Sequence, residues 1–286
     1  YMLEPNVKEG KGGLRDLQTL YWITKYLYKT SSAQELIKSN VFTETELLIF
    51  KNAENFFWSV RCCMHLISNR SSEKLNFSTQ VELASRFGYE DKKGMRGVER
   101  FMQAYFIHAK NVGDLTRIFL TALEAKHVRI RPGFGGQIKT VLNFNRAKNR
   151  NLFPIGLGLT HGRLNICKKK EFLKTPVNLI KLFQIALKLK LLIHPDALRL
   201  VASNLLMVNY RFRNDALANE IFLDLLLNHK NPETALRHMN EVGFLGAFIP
   251  EFGRIVAMMQ FNMYHAFTVD EHTIQCIRNL AEIEAR

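Results

Sequence analysis

Apolar residues recur at three- and four-residue spacing through most of the first 125 positions, the signature of amphipathic helices. Leu14, Leu17, Tyr21, Thr24 and Tyr28 mark one stripe. A second helix is predicted to open at Thr43, where Glu46 three residues later completes a capping box, and to run through Leu47, Leu48, Phe56, Phe57, Val60, Met64 and Ile67. A third carries Val98, Phe101, Met102, Tyr105, Phe106, Ala109 and Val112, and continues to Ile118, Phe119 and Leu123. Met and aromatic residues at this spacing belong to a packed core rather than to a cofactor box.

The pattern changes after His127. Val128 and Ile130 alternate with arginines, and the run from Pro132 to Gly136 breaks the chain. Phe153, Ile155, Leu157 and Leu159 then alternate with other residues, a turn follows at Thr160-His161-Gly162-Arg163, and Leu164 and Ile166 alternate again. This predicts a short β-hairpin. Helical spacing resumes at Thr175-Pro176, read as an N-cap and first helical position, with Leu179, Ile180, Phe183, Leu187 and Leu191 as its stripe. Asn231-Pro232-Glu233 opens a further helix that Gly243 ends. The fold class is mainly α: a helical bundle, a β-hairpin connector and a second helical region.

Composition narrows the class. The 286 residues are 47% apolar and 23% charged, which fits a globular chain long enough for about two domains. Apolar stretches are interrupted by charge well before the roughly 18 residues that a membrane span needs. No signal peptide opens the chain, and the start at Tyr1 reads as a cut inside a longer protein. Cys62, Cys63, Cys167 and Cys276 form no Cys-x-x-Cys pair and no zinc-finger grouping with histidine. They are expected to be reduced, buried small hydrophobes, which places the protein in the cytosol.

Charge is uneven. Of the formal +14, a net +11 lies between Lys126 and Lys174, where Glu171 is the only acid. Such a block suits a phosphate footprint, a solvated connector, or a face that meets an acidic neighbour. Aromatic interleaving is thin there, so nucleic acid is not the expected partner. The lysines beside the stripe after Pro176 fit a buried helix with solvated edges better than a membrane-surface element.

Residues 4–16 carry the most chemistry. Gly10, Gly12 and Gly13 allow backbone amides to turn inward, the first helix begins directly after them, and Lys8, Lys11 and Arg15 add positive charge. The run is neither a Walker loop nor a dinucleotide fingerprint. Its chemistry leaves two readings open, a phosphate cradle and a flexible lead into the helix.

The string Pro5-Asn6-Val7-Lys8-Glu9-Gly10-Lys11-Gly12-Gly13-Leu14-Arg15-Asp16-Leu17-Gln18 resembles the segment that follows the nucleotidyltransferase core in the bifunctional uridylyltransferase/uridylyl-removing enzymes of the PII signalling protein. The stretches 56–66 and 98–105 resemble the same family. Glutamine-synthetase adenylyltransferases carry a related glycine run. The far end separates the two: residues 250–273, with Tyr264-His265-Ala266-Phe267-Thr268-Val269-Asp270-Glu271-His272, resemble the start of the HD phosphohydrolase domain, which the adenylyltransferases lack. Thr268 and Glu271 predict a capping box, with His272 in the first helical turn, where the positive helix end favours the neutral imidazole.

The resemblance implies four parts: a helical domain at 1–125 after the nucleotidyltransferase core, the basic connector at 126–175, a helical linker region at 176–250, and the start of an all-α HD domain at 251–286. It implies UTP as nucleotidyl donor, PII as acceptor, glutamine as effector, Mg2+ for transfer and a divalent metal such as Mn2+ for removal. Lys8, Gly10, Gly12, Gly13, Arg15 and Asp16 are then the residues expected to face the nucleotide site, and His272 matches the first metal-ligand position of the HD pattern. The chain itself contains no Asp-x-Asp pair and no His-Asp dyad. Neither catalytic set is complete, so the chain alone is expected to be inactive and to hold no metal tightly. A basic helical module that binds nucleic acid or protein, and an adenylyltransferase relative, are the alternatives.

Overall fold

The computed structural model describes residues 3–29, 35, 37, 42–92, 94–127, 154, 156–229, 231–261 and 267–284. Among them are thirteen α-helices, one short 3-10 turn and one two-stranded sheet. The chain divides into two compact units, Tyr1–Ala122 with Ile255–His272, and Leu123–Arg254 with Thr273–Arg286.

The first unit holds α1 (Leu14–Tyr28), α2 (Glu44–Ser68), α3 (Phe77–Arg86) and most of α4 (Gly97–His127). The expected capping box starts α2: Thr43 Oγ1 accepts from Glu46 N at 3.2 Å, and Glu46 Oε2 accepts from Thr43 N at 2.9 Å. Phe57, Val60 and Met64 of α2 meet Phe101, Met102, Tyr105 and Phe106 of α4 in the core. The stripe of α1 is shifted from the predicted one, because Leu20 is buried and Tyr21 is 44% exposed. Polarity decides this: of two neighbouring candidates, the aliphatic side chain goes inside and the phenol stays in water. Helix α3 has no counterpart in the sequence reading. Asn76 caps it by accepting from Thr79 N at 2.9 Å.

Residues 255–261 pack on the first unit rather than extending the helices before them. Ala257 and Met259 lie in its core, and Phe261 N donates to Glu99 Oε1 at 3.1 Å.

In the second unit, β1 (Leu157–Thr160) and β2 (Arg163–Ile166) form the predicted hairpin, with Leu157 opposite Ile166 and Thr160 opposite Arg163. His161 and Gly162 both take positive φ, as a two-residue turn between twisted strands requires. Leu164 then bridges to Ile193. The helices are α5 (Lys169–Leu173), α6 (Asn178–Leu189), α7 (Pro195–Ser203), α8 (Tyr210–Arg213), α9 (Ala216–Leu227), α10 (Pro232–Glu241), α11 (Phe244–Phe248) and α12 (Pro250–Ile255). The last helix, α13 (Val269–Glu284), begins in the first unit and continues in the second. Phe183, Phe212, Phe244 and Phe248 stack edge and face through the core.

Two expectations are corrected here. Thr175 does not cap α6: Asn178 N donates to Thr175 O in a preceding turn, and the helix begins at Asn178, whose side chain donates to Phe172 O at 2.8 Å. The cysteines are free but not buried, with Cys62, Cys167 and Cys276 exposed and Cys63 half-buried. Cys62 falls off the α2 stripe that Val60 and Met64 define. The alternation at Val128 and Ile130, the break at 132–136, Phe153, Ile155, Tyr264, His265 and Ala266 lie outside the described residues. No described helix is long and apolar enough to cross a membrane.

Candidate functional site

The glycine-rich loop is built around Asn6. Its Oδ1 accepts from Lys8 N at 2.9 Å and from Glu9 N at 2.7 Å, and its carbonyl accepts from Gly10 N at 2.8 Å. The loop then closes on α1. Gly13 N donates to Gly10 O, Leu14 N to Val7 O, and Arg15 N to Lys8 O. Asp16 reaches back from the helix, and its Oδ2 accepts from Gly12 N at 2.7 Å. A phosphate cradle needs free inward-pointing amides. Here those of residues 8, 9, 10, 12, 13, 14 and 15 are engaged by the chain's own oxygens.

The glycines serve close packing instead. Gly12 has φ of +76°, and a Cβ there would stand 2.0 Å from the Ala109 carbonyl oxygen on α4. A Cβ on Gly10 would meet the Asn6 carbonyl oxygen at 2.4 Å, and one on Gly13 the Val7 carbonyl oxygen at 2.7 Å. The loop is therefore a tight clasp that seats the start of α1 against α4.

The charged side chains form a chain of ion pairs along the outside of the clasp. Arg15 Nη2 lies 2.7 Å from Glu9 Oε1, and its Nε donates to Glu9 Oε2 at 3.3 Å. The hydrogen bond from Arg15 holds the Glu9 carboxyl below its ordinary range and raises Arg15 in return. Lys8 Nζ stands 3.7 Å from Glu73 and 3.9 Å from Glu9. Glu73 also receives Arg61 of α2 at 2.7 Å. Backbone bonds from Val7 N to Glu73 O at 2.8 Å and from Leu75 N to Pro5 O at 2.9 Å lace the loop to residues 73–75. Glu4 completes the lacing by accepting from Phe77 N at 3.1 Å and pairing with Lys74 at 3.2 Å.

The six predicted residues thus share one loop and one helix start. Lys8 and Arg15 keep partly exposed charged ends, Asp16 is committed to Gly12, and the glycines are committed to packing. Glu73 and Arg61 join them without a sequence signal, since Glu73 sits in a short polar stretch whose partners lie 12 positions away at Arg61 and far back in the chain at Lys8.

His272 lies on an exposed face of the first turn of α13, its backbone N donating to Thr268 O at 2.9 Å. The capping box expected there does not close: Thr268 Oγ1 is buried with no hydrogen-bond partner among the described residues. Thr268 N-caps through its backbone only. No group of three His, Cys, Asp or Glu side chains able to hold a metal ion occurs among the described residues.

Comparison with known proteins follows this geometry. The family model described as GlnD PII-uridylyltransferase matches residues 1–120, and that described as Uridylyltransferase GlnD third domain matches 158–248. Two relatives named bifunctional uridylyltransferase/uridylyl-removing enzyme align over 99% of the chain, one from Cereibacter sphaeroides at 53% identity and one from Ruegeria pomeroyi at 54%. The chain spans 30% of the length of each. No solved structure matches it.

Proposed function

We propose, for a chain that belongs to the bifunctional uridylyltransferase/uridylyl-removing enzyme family, that it is the helical segment linking a transferase centre to a hydrolase centre. The observation that supports this is the order of the two family matches along one chain, with 53–54% identity to the relatives over nearly all of it. In this reading the enzyme transfers a uridylyl group from UTP to PII in the cytosol and removes it by hydrolysis, with glutamine setting the balance. Mg2+ and a metal such as Mn2+ act at centres whose acids lie outside residues 1–286.

The chain's own part is mechanical and electrostatic. The clasp at residues 4–16 fixes where α1 begins, and so where Lys8 and Arg15 stand. Those two cations neutralise phosphate charge only if their pairs with Glu9 and Glu73 open, and exposed pairs of this kind cost little to open. His272 supplies one imidazole to the hydrolase centre, whose other ligands come from elsewhere.

The chain lacks both the Asp-x-Asp pair and the His-Asp dyad, so it is inactive alone. Incubation with labelled UTP and PII tests this. The expected result is no label on PII, and no loss of label from PII that already carries it. Transfer or removal above background by the isolated chain overturns the reading.

A further inference from the structure

A cavity of about 630 Å³ opens in the second unit, where the end of α6, the residues after α9 and the start of α10 meet. Its volume is that of a small-molecule site. The floor is apolar, built from the buried Phe183, Ala186, Leu191 and Ala235. The charged lining is of one sign. Lys188, Lys190, His229 and His238 line the cavity, and no Asp or Glu does so among the described residues.

The nearest carboxylate, Asp224, is already occupied. Its Oδ2 lies 2.9 Å from Lys188 Nζ and 3.5 Å from His229 Nε2, and it also accepts from the Gln184 amide and from Asn228 at 3.1 Å. Lys190 has no ion-pair partner among the described residues, so its charge is left to the cavity. The start of α10 adds to the same sign. Asn231 stands at the N-cap, yet its side chain makes no capping hydrogen bond, and Pro232 follows it. A side-chain oxygen therefore does not fill the first amides of this helix, and the Thr234 hydroxyl stands beside them in the cavity lining.

We propose that this cavity binds a small phosphate monoester. The phosphate lies against Lys190, Thr234 and the start of α10, and the organic body lies on the apolar floor. An apolar occupant would cover Lys190 and the imidazoles without a counter-charge, which is costly. A carboxylate offers two oxygens in one plane, whereas donors arriving from two helices suit the three terminal oxygens of a phosphate. The proposal uses the second unit alone. It involves neither UTP nor PII and stands or falls apart from the proposed function.

Isothermal titration calorimetry of the full 286-residue chain at low ionic strength tests it, with phenyl phosphate as the probe. The expected Kd is about 0.1–1 mM. Inorganic phosphate lacks the body, and benzoate carries a planar carboxylate; each is expected to bind about tenfold more weakly. Lys190 has a left-handed backbone, which Asn tolerates. Lys190→Asn is therefore expected to weaken phenyl phosphate about tenfold while helical circular dichroism is unchanged. Lys181→Asn, on the same helix but outside the cavity, is expected to leave binding as it was. No binding of phenyl phosphate up to about 10 mM overturns the proposal. So does inorganic phosphate or benzoate binding as tightly as phenyl phosphate, or an equal loss in the two lysine variants, which marks only the general attraction of a basic chain.

Discussion

Gly12 carries the sharpest constraint on any single position. Two costs coincide there: a backbone in the left-handed region, and a neighbour's carbonyl oxygen where a Cβ would go. Gly88 has a similar φ of +71° but nothing within 4 Å of its added Cβ. Gly88→Ala therefore reports the backbone cost alone, roughly 1 kcal/mol. Gly12→Ala adds displacement of α1 from α4 and is expected to lose at least about 2 kcal/mol more, the range of a severe steric change in a core. Urea denaturation of the two variants checks the difference, and equal losses mean that the clasp is not a close contact. The ion pairs have a ranking of their own. Glu73 is half-buried and takes both Arg61 and Lys8, so Glu73→Ala leaves a partly desolvated guanidinium unpaired and is expected to cost about 1–2 kcal/mol. Glu9→Ala removes an exposed pair and is expected to leave the urea midpoint where it was. Only part of this was legible in sequence. The glycines announced a special loop, but the partner that makes Gly12 indispensable lies nearly a hundred positions away, beyond the reach of local pattern.

Elements follow local rules where both partners of a contact are close in sequence. The Thr43 box and the hairpin turn are of this kind, and both form as read. Thr268 shows the limit. Its sequence matches a capping box as well as Thr43 does, yet its hydroxyl is buried with no hydrogen-bond partner among the described residues. Helix α7 has an N-cap that no consensus predicts. His194 is 9% exposed, and its Nδ1 accepts from Asp196 N at 3.2 Å, which requires the neutral ring. Burial lowers its pKa; the Asp196 carboxylate opposes that, and His161, Arg163 and Arg199 reinforce it. His108 is lowered by burial as well, its ring stacked on Phe56 with centroids 4.4 Å apart. A lowered histidine means that the unfolded chain binds the proton more readily. The stabilisation is complete above the unfolded value near 6.5 and is lost as pH falls from there through the folded value. Urea midpoints at pH 7.5 and 5.5 are therefore expected to fall with pH, and His194→Asn, a cap that does not titrate, is expected to shrink the drop. A drop of unchanged size in that variant assigns the effect elsewhere.

Over the whole molecule, the sequence separated helical from connecting regions and identified the family, but it did not foresee how the chain divides in space. Residues 255–261, read from sequence as part of the segment 251–286 at the start of an HD domain, fill the core of the first unit through Ala257 and Met259. Periodicity reports which face of a segment is apolar and is silent on which core receives it. The same silence hid the role of residues 73–75, which lace the opening loop to α2 and α3. The picture that results is two helical units whose sequence carries neither the Asp-x-Asp pair nor the His-Asp dyad. A hybrid enzyme tests it most directly. In the Cereibacter sphaeroides relative, the matching 284-residue segment is replaced by this chain, and uridylyl transfer to PII and its removal are assayed. The account predicts that the hybrid performs both reactions, since the segment supplies scaffold and the flanking parts supply the acids. A folded hybrid that performs neither contradicts it.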